Sequence, residues 1–367
     1  MSVNARTAWA GRAVGCAFLV GAIGAALAIV AAPTLAEKPR QTLRASSKPI
    51  EIVAERIRGF DKSRPEARRF GKLEWLGGLV LSSSVPEFGG WSGLLLDATG
   101  KSLIAVSDAA SWLTAELDQD DDGRPVRLRS ARLGPILGTN GKPLTRRRDI
   151  DAESIRFAGP PSSRGEAFIG FESNHRIAVA ETGPNGVAAP KRFIASPPGA
   201  KRMTRNEGFE ALAVLQAGPF AGSLVAFSER LPDPQGRHTG WIWVKGKPAV
   251  LKLANSDDFS VTDAVGLKDG GLLVLERRFR ILDGVRMRLR HIAAEDIGPG
   301  AALDGEVLLA ADQSREIDNM EALAVHERPG GETVLTLLSD NNFNPLLQRT
   351  LLLRFVWRRD GVARAEK

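Results

Sequence analysis

Ile317-Asp318-Asn319-Met320-Glu321-Ala322-Leu323-Ala324-Val325, answered by Leu335-Thr336-Leu337-Leu338-Ser339-Asp340-Asn341-Asn342-Phe343-Asn344-Pro345, is the stretch whose reading decides the fold. An acidic residue opens one short apolar run, and a second acidic residue closes the next. Apolar runs of four to eight residues bounded by Gly, Asn, Asp and Pro are strand and hairpin signals. The arrangement recurs upstream, so it marks a repeat.

Working outward, the same unit appears as Gly90-Trp91-Ser92-Gly93-Leu94-Leu95-Leu96 with Leu103 to Asp108, as Asp151-Ala152-Glu153-Ser154-Ile155 with Ala167 to Glu172, as Asn206 to Leu212 with Leu224 to Glu229, and as Val261-Thr262-Asp263-Ala264 with Leu272 to Glu276. Glu153 to Glu172, Glu210 to Glu229 and Glu321 to Asp340 are each 19 residues apart, while Asp263 to Glu276 is a shortened 13. The first acids recur after 57, 53 and 58 residues, and Gly93 stands 60 before Glu153. This period is longer than the usual propeller blade of about 40–50 residues, but four short strands with generous loops fill it. Helical solenoids are excluded, because long 3.6-residue periodicity is missing.

Each unit has further strands after its acids, such as Trp112 to Leu117 with Val126 to Arg129, and Trp241 to Val244 with Val250 to Leu253. The fifth has only Leu351 to Trp357, and its missing outer strand is supplied by Leu73 to Val80, so that N- and C-terminal strands close the ring and protect its edges. The expected fold is all-β: a β-propeller of four-stranded blades, with five repeats counted and a sixth, built on Ile50 to Arg58, left open. Residues 71–360 would form the domain and residues 37–70 a linker with an edge strand.

Arg6 and Arg12 precede an unbroken apolar run from Ala13 to Pro33, followed by Thr34-Leu35-Ala36. Residues 1–36 therefore read as a secretory signal peptide, with an uncleaved membrane anchor as the alternative. The expected location is periplasmic or extracellular. Cys16, the one cysteine, would leave with this segment, so a disulfide framework, a thiolate zinc site and a cysteine nucleophile are excluded. The formal charge of +7 would fall to +5, a modest excess that favours anionic small molecules or an anionic surface. No basic run interleaved with aromatics speaks for nucleic acid. A monomer is expected, touching a membrane only if the N-terminal segment is retained.

Inner strands of a propeller line its channel, so matching positions converge on one axis. Asp108, Glu153, Glu172, Glu210, Glu229, Asp263, Glu276, Glu321 and Asp340 would meet there. Such a set either holds a hard cation, six to eight oxygens when it is calcium, or pairs with neighbouring Arg to lock the blades. The basic neighbours are His175, Arg176, Arg205, Arg230, Arg277 and Arg278. Asn341 and Asn342 offer amide groups for a cation or an ester oxygen, or simply form a turn. Asp118-Gln119-Asp120-Asp121-Asp122-Gly123 matches half of a calcium loop, but Arg129 stands where a bidentate Glu is required, so a solvated hairpin is the better reading.

Other chemistries are poorly represented. Gly90-Trp91-Ser92-Gly93 has the wrong spacing for a nucleophile elbow, and Gly138-Thr139-Asn140-Gly141-Lys142 lacks the rest of a P-loop. His175, His238, His291 and His326 never fall in an H-x-x-x-H pair, and tyrosine is missing altogether. Of the four histidines only His175 lies in a repeat motif.

The elements Phe88-Gly89-Gly90-Trp91-Ser92-Gly93-Leu94, Ser107-Asp108, Phe171-Glu172-Ser173-Asn174-His175-Arg176, Asn206 to Leu212, Leu275-Glu276-Arg277-Arg278-Phe279, Ile317 to Leu323 and Ser339 to Phe343 resemble the bacterial exported phytase-like proteins, called "esterase-like activity of phytase". The resemblance covers roughly residues 71 to 357. It implies a β-propeller related to calcium-dependent phytases and to propeller esterases and lactonases. Gly93 departs from it, standing where the other units carry an acid.

The expectation is an ester or phosphoester hydrolase with Ca²⁺ in its channel. Asp108, Glu153, Glu210, Asp263, Glu321 and Asp340 are the metal candidates. Glu172, Glu229, Glu276 and His175 are the catalytic ones, and Arg176, Arg230, Arg277, Arg278, Asn341 and Asn342 would face an anionic ester or phosphoester. The alternative is a non-catalytic propeller that binds a protein or an envelope ligand.

Overall fold

The computed structural model describes residues 46–204 and 207–359. The apolar run of residues 13–33, Arg205 and Asn206 lie outside the described residues. Five sheets, antiparallel except where Ala302–Leu303 adds in parallel to Lys247–Leu253, follow one another along the chain. Blade 1 is Trp91–Leu96, Ser102–Ser107, Ser111–Gln119 and Pro125–Pro135, with Lys48–Pro49 added at its outer edge. Blade 2 is Ala152–Phe157, Gly165–Phe171 and Arg176–Gly183, with short Gly186–Val187 and Arg192–Phe193 beside the third strand. Blade 3 runs Phe209–Val214, Leu224–Pro232, His238–Val244 and Lys247–Leu253, and blade 4 runs Ser260–Gly266, Leu272–Arg280, Gly284–Ile292 and Glu306–Ala311.

Blade 5 closes the ring. Asn319–Glu327, Thr333–Asp340 and Thr350–Trp357 are joined by Leu73–Ser82 from the N-terminal side, whose Leu79 lies opposite Leu352. The protein is therefore a five-bladed β-propeller. The residues weighed for a sixth blade instead place Val53–Arg56 on the outer edge of Leu73–Ser82.

Each inner strand packs beside the inner strands of two neighbouring blades, so the five form a closed ring. The core is correspondingly divided into wedges between blades. Leu95, Ile104 and Trp112 meet Ile155 and Ile169 between blades 1 and 2. Phe209, Leu212 and Trp241 meet Ile177 between blades 2 and 3. Comparable clusters fill the other three crevices. Burial on both faces explains why the inner strands read as continuous apolar runs rather than as clean alternation. Gly93 reflects this closeness, since a Cβ there would stand 2.7 Å from the Ile155 backbone nitrogen of the next blade.

Candidate functional site

In every blade the first two strands begin their pairing with a bulge, and this fixes which side chains enter the channel mouth. Trp91 pairs with Ser107, Ala152 with Phe171, Phe209 with Ser228, Val261 with Glu276 and Met320 with Ser339, and in each case the next inner residue is skipped. The skipped residues are Ser92, Glu153, Glu210, Thr262 and Glu321. A bulge re-aims a side chain without ending the strand. One step beyond the pairs, on the second strands, lie Asp108, Glu172, Glu229, Arg277 and Asp340. Two tiers of equivalent positions thus surround one mouth.

In blade 1 it is Ser92, not Gly93 as expected, that holds the position of the acids; blade 4 lacks an acid at both positions, and it corrects two of the expected assignments. Its equivalent positions hold Thr262 and Arg277, so Asp263 and Glu276 each fall one residue out of place. Glu276 is fully buried away from the mouth and accepts from Arg288 Nε at 2.6 Å and Arg290 Nη2 at 2.6 Å. It is engaged in ion pairs with both arginines and does not face the mouth as the expected catalytic assignment required.

Asp263 lies deeper in the channel with Arg156. The Arg156 guanidinium donates to Asp263 Oδ1 at 2.6 Å and to the backbone oxygens of Leu212 at 2.8 Å, Leu323 at 2.9 Å and Leu94 at 3.3 Å. Asp263 Oδ2 accepts from the Leu323 amide at 2.7 Å. One side chain of blade 2 is thereby tied to the inner strands of blades 1, 3, 4 and 5. Burial pushes the Asp263 carboxyl up to about 6 against the pull of Arg156. This pair is the floor of the mouth, a protein cation where a metal was expected.

Above the floor the mouth is a cup of carboxylates with two unlike arcs. In the arc of blades 2 and 3, ligand oxygens of Asp151, Glu153 and Glu172 lie within 4.8 Å of one another. Glu172 is pushed up to about 8, by burial and then by Asp151, and it shares a hydrogen bond with Glu210. Glu210 is held well above the carboxylate range by burial and by Glu153, Glu172, Glu229 and Glu321. Burial is the leading cause in both, and the charged neighbours that add to the rise are other carboxylates.

The second arc is organised by Arg277. Its Nη2 lies 3.2 Å from Glu321 and 3.9 Å from Glu229. Burial works against its charge, but Glu321, Glu229, Glu210 and Asp340 together raise its pKa. Glu321 is pushed up to about 7, by burial against the pull of Arg277, with Glu229 and Asp108 adding to the rise. Asp340 is also well above its usual range, through burial and then through Asp108 and Glu321. The loop Phe88-Gly89-Gly90 forms the wall here. Gly90 has φ +68°, and a Cβ on it would stand 2.2 Å from Asp108 Oδ1.

Several other predicted site residues serve the rim. Arg176 stacks 3.9 Å over the Phe171 ring and donates to the Asp149 and Asn174 carbonyls, bracing the loop that carries Glu172. His175 bonds through Nε2 to the Thr204 carbonyl at 2.9 Å, and burial lowers its pKa. The backbone of Gly208 packs against both His175 and Glu172. Arg230 is exposed and reaches Ser260 Oγ at 3.1 Å. Arg278 points away, to Asp283 at 2.8 Å and the Asp257 carbonyl. Asn341 and Asn342 are engaged in their own turn, accepting from the Phe343 amide and donating to Gln348 respectively.

Asp151 and Arg156 were missed. Asp151 precedes the inner strand of blade 2, where Gly90, Gly208, Ser260 and Asn319 stand in the other blades, so no repeat signal points to it. Arg156 had one available signal, a lone charge between Ile155 and Phe157 inside an inner strand.

A propeller with an acid-lined cup on one face is the class that fold and geometry define. The sequence profile described as "Phytase-like: Esterase-like activity of phytase" matches residues 86–343, and the chain belongs to this phytase-like family. Among curated proteins no relative matches. Among solved structures, the β-propeller domain of Cps50 (Swd1) from Myceliophteria thermophila is similar at 10% identity with a TM-score of 0.35, covering 82% of this chain and 99% of that one.

Proposed function

We propose that the protein is a hydrolase of ester or phosphoester bonds whose cup holds a hard divalent cation, calcium being the first candidate, at Asp151, Glu153 and Glu172. The observation that carries this reading is the convergence of those three carboxylates, with Glu210 bonded to Glu172. Their chemistry fits the ion: hard oxygen donors, packed closely enough that repulsion and burial keep protons on some of them, suit calcium or magnesium. A cation bound there supplies Lewis-acid polarisation of an ester or phosphoryl oxygen.

The chain's own residues divide the remaining work. Glu229 lies between the two arcs, where it is placed to take a proton from an attacking water. Arg277, held by Glu321, faces the negative charge that develops on the substrate oxygen, with its charge secured by four carboxylates. Burial of the cup lowers the effective dielectric and strengthens both effects.

Calcium, then excess chelator, is added to the full chain in a thermal melt, followed by assays on carboxylic and phosphate esters. The wild type gains a reversible calcium shift and turns over one ester class. Glu153→Gln loses both shift and turnover. Glu229→Gln keeps the shift and loses roughly 10² or more in kcat. A calcium shift that survives Glu153→Gln undiminished would overturn the metal assignment, and full activity in Glu229→Gln would overturn the base.

The blade-locking alternative correctly describes Asp263 with Arg156, and Glu276 with Arg288 and Arg290. It does not describe Glu172 and Glu210, which face one another.

A further inference from the structure

Among the described residues five arginines are buried, Arg156, Arg278, Arg288, Arg290 and Arg354. Four of them hold a carboxylate: Arg156 pairs with Asp263, Arg278 with Asp283, and Arg288 and Arg290 with Glu276. Arg354, at 0% exposure, has no carboxylate of the described residues within ion-pair distance. Its Nε donates to Thr336 Oγ1 at 3.1 Å and its Nη2 to the Gly100 carbonyl, while Nη1 is buried with no hydrogen-bond partner among the described residues. A guanidinium taken out of water is costly unless a counter-charge and full hydrogen bonding compensate it.

Strand register brings a second such atom to the same place. Arg354 lies opposite Thr336, Thr336 lies opposite Ala324, and His326 follows two residues along that strand, so all four project from the face of blade 5 that packs on blade 1. Gly100, on the blade 1 hairpin between Trp91–Leu96 and Ser102–Ser107, closes over them. It has φ +67°, and a Cβ there would stand 2.3 Å from His326 Cε1. His326 Nδ1 is likewise buried with no hydrogen-bond partner among the described residues. Burial, with Arg354 and Arg328 beside it, pushes His326 down to about 3, so the ring is neutral and free to carry its hydrogen on Nδ1. The Thr336 hydroxyl accepts from Arg354 and keeps its own hydrogen to donate. The charges nearby do not supply an anion. Arg328 has the same sign and pairs with Glu332, and Asp97 turns its oxygens to the Thr99 hydroxyl and to the amides of Lys101 and Ser102.

We infer that Arg354, His326 and Thr336 hold a small inorganic anion, chloride being the first candidate, in the crevice between blades 5 and 1. A monatomic anion accepts from several N–H and O–H groups at once and neutralises the guanidinium, whereas a water molecule in the same place would satisfy the hydrogen bonds and leave the charge. Burial and Arg328 push Arg354 down to about 9, so it is still charged at neutral pH. Thr336 stands four residues before Asp340 on the strand Thr333–Asp340, which sets the site roughly 13 Å from the cup by strand rise. The anion is therefore no reactant of the proposed hydrolase, and the inference does not depend on that reading. Bound there, it fastens the last blade of the ring to the first.

The test uses the full chain and halide salts. In thermal melts at constant ionic strength, chloride is replaced stepwise by gluconate, which is too large for a buried crevice, and the midpoint should rise and saturate with chloride. Arg354→Met should abolish the saturable part, and His326→Leu/Thr336→Val should weaken the apparent chloride Kd roughly tenfold. Crystals grown in bromide should carry an anomalous peak against Arg354 Nη1 and His326 Nδ1 in the wild type, and none there in Arg354→Met. A wild-type crystal with no anomalous signal at that position in saturating bromide would overturn the proposal, and this reading stands even where Arg354→Met fails to fold. A saturable chloride response that survives undiminished in Arg354→Met would overturn it too, by placing the anion elsewhere on the chain.

Discussion

At the channel floor Arg156 meets one carboxylate and three backbone oxygens, and Asp263 spends both its oxygens on partners inside the ring. In the cup above it, Arg277 is raised by four carboxylates, and Asp151, Glu153 and Glu172 gather on the far side. Both regions lie within the same ring of inner strands, yet their charge balance differs. The floor is near neutrality and fully hydrogen-bonded, which is what a structural pair requires when it is taken out of water. Among the described residues the cup gathers several carboxylates around Arg277, and burial together with their mutual repulsion raises the pKa of Glu172, Glu210, Glu321 and Asp340. On the proposed function, the difference separates a charge that holds blades together from charges that take up a cation.

The largest effect expected from this contrast is at the floor. Asp263→Ala leaves the Arg156 guanidinium buried without its carboxylate and should cost about 3–5 kcal/mol, read as a lower midpoint in urea unfolding. The calcium shift should persist at temperatures where the variant is folded. A variant that stays near wild-type stability, or that folds yet no longer responds to calcium, would break the separation between floor and cup.

The floor also shows where the sequence was readable and where it was not. Repetition of acid, apolar run and acid located every blade and the closing strand, because propeller geometry imposes the same hairpin five times. Register within blade 4 was hidden. Asp263 and Glu276 are acids in the right neighbourhood, and a shorter spacing looked like a shorter hairpin. The better guide was the buried apolar residue just before each bulge: Trp91, Ala152, Phe209 and Met320 align with Val261, which moves Thr262 into the ring and Arg277 opposite it. Arg156 belongs to no repeat, because one central cation can serve five blades. Asp151 likewise breaks the repeat, and a feature that occurs once has no echo to reveal it.

A smaller effect, two opposing trends along one pH series, sharpens the comparison. Glu172 at about 8, Glu321 at about 7 and Asp263 at about 6 all lie above their ordinary values, chiefly through burial. The folded chain then keeps protons that the unfolded chain releases, so stability falls as pH rises from the ordinary carboxylate range through these values. In chelator, the melting temperature should drop between about pH 5 and about pH 8. Calcium favours the ionised carboxylates, so its stabilisation should grow over the same interval, reaching about 2.7 kcal/mol at 100 times its Kd. A calcium shift that is equal at both ends would mean that ionisation of the cup and binding are not linked.

The smallest expected effect concerns the other acidic run, Asp118 to Asp122, on the hairpin between the third and fourth strands of blade 1. Here the carboxylates have local work. Asp118 pairs with Arg127 and Arg129, while Asp120 accepts from the amides of Asp122 and Arg124 and so holds the turn. The run is as dense in acid as the cup, but its partners are arginines and backbone amides rather than other carboxylates. Asp120→Asn should therefore leave the calcium shift unchanged at every pH. If it removed part of the shift, some of the ion would reside at this hairpin, and the cup could no longer be credited with the whole response.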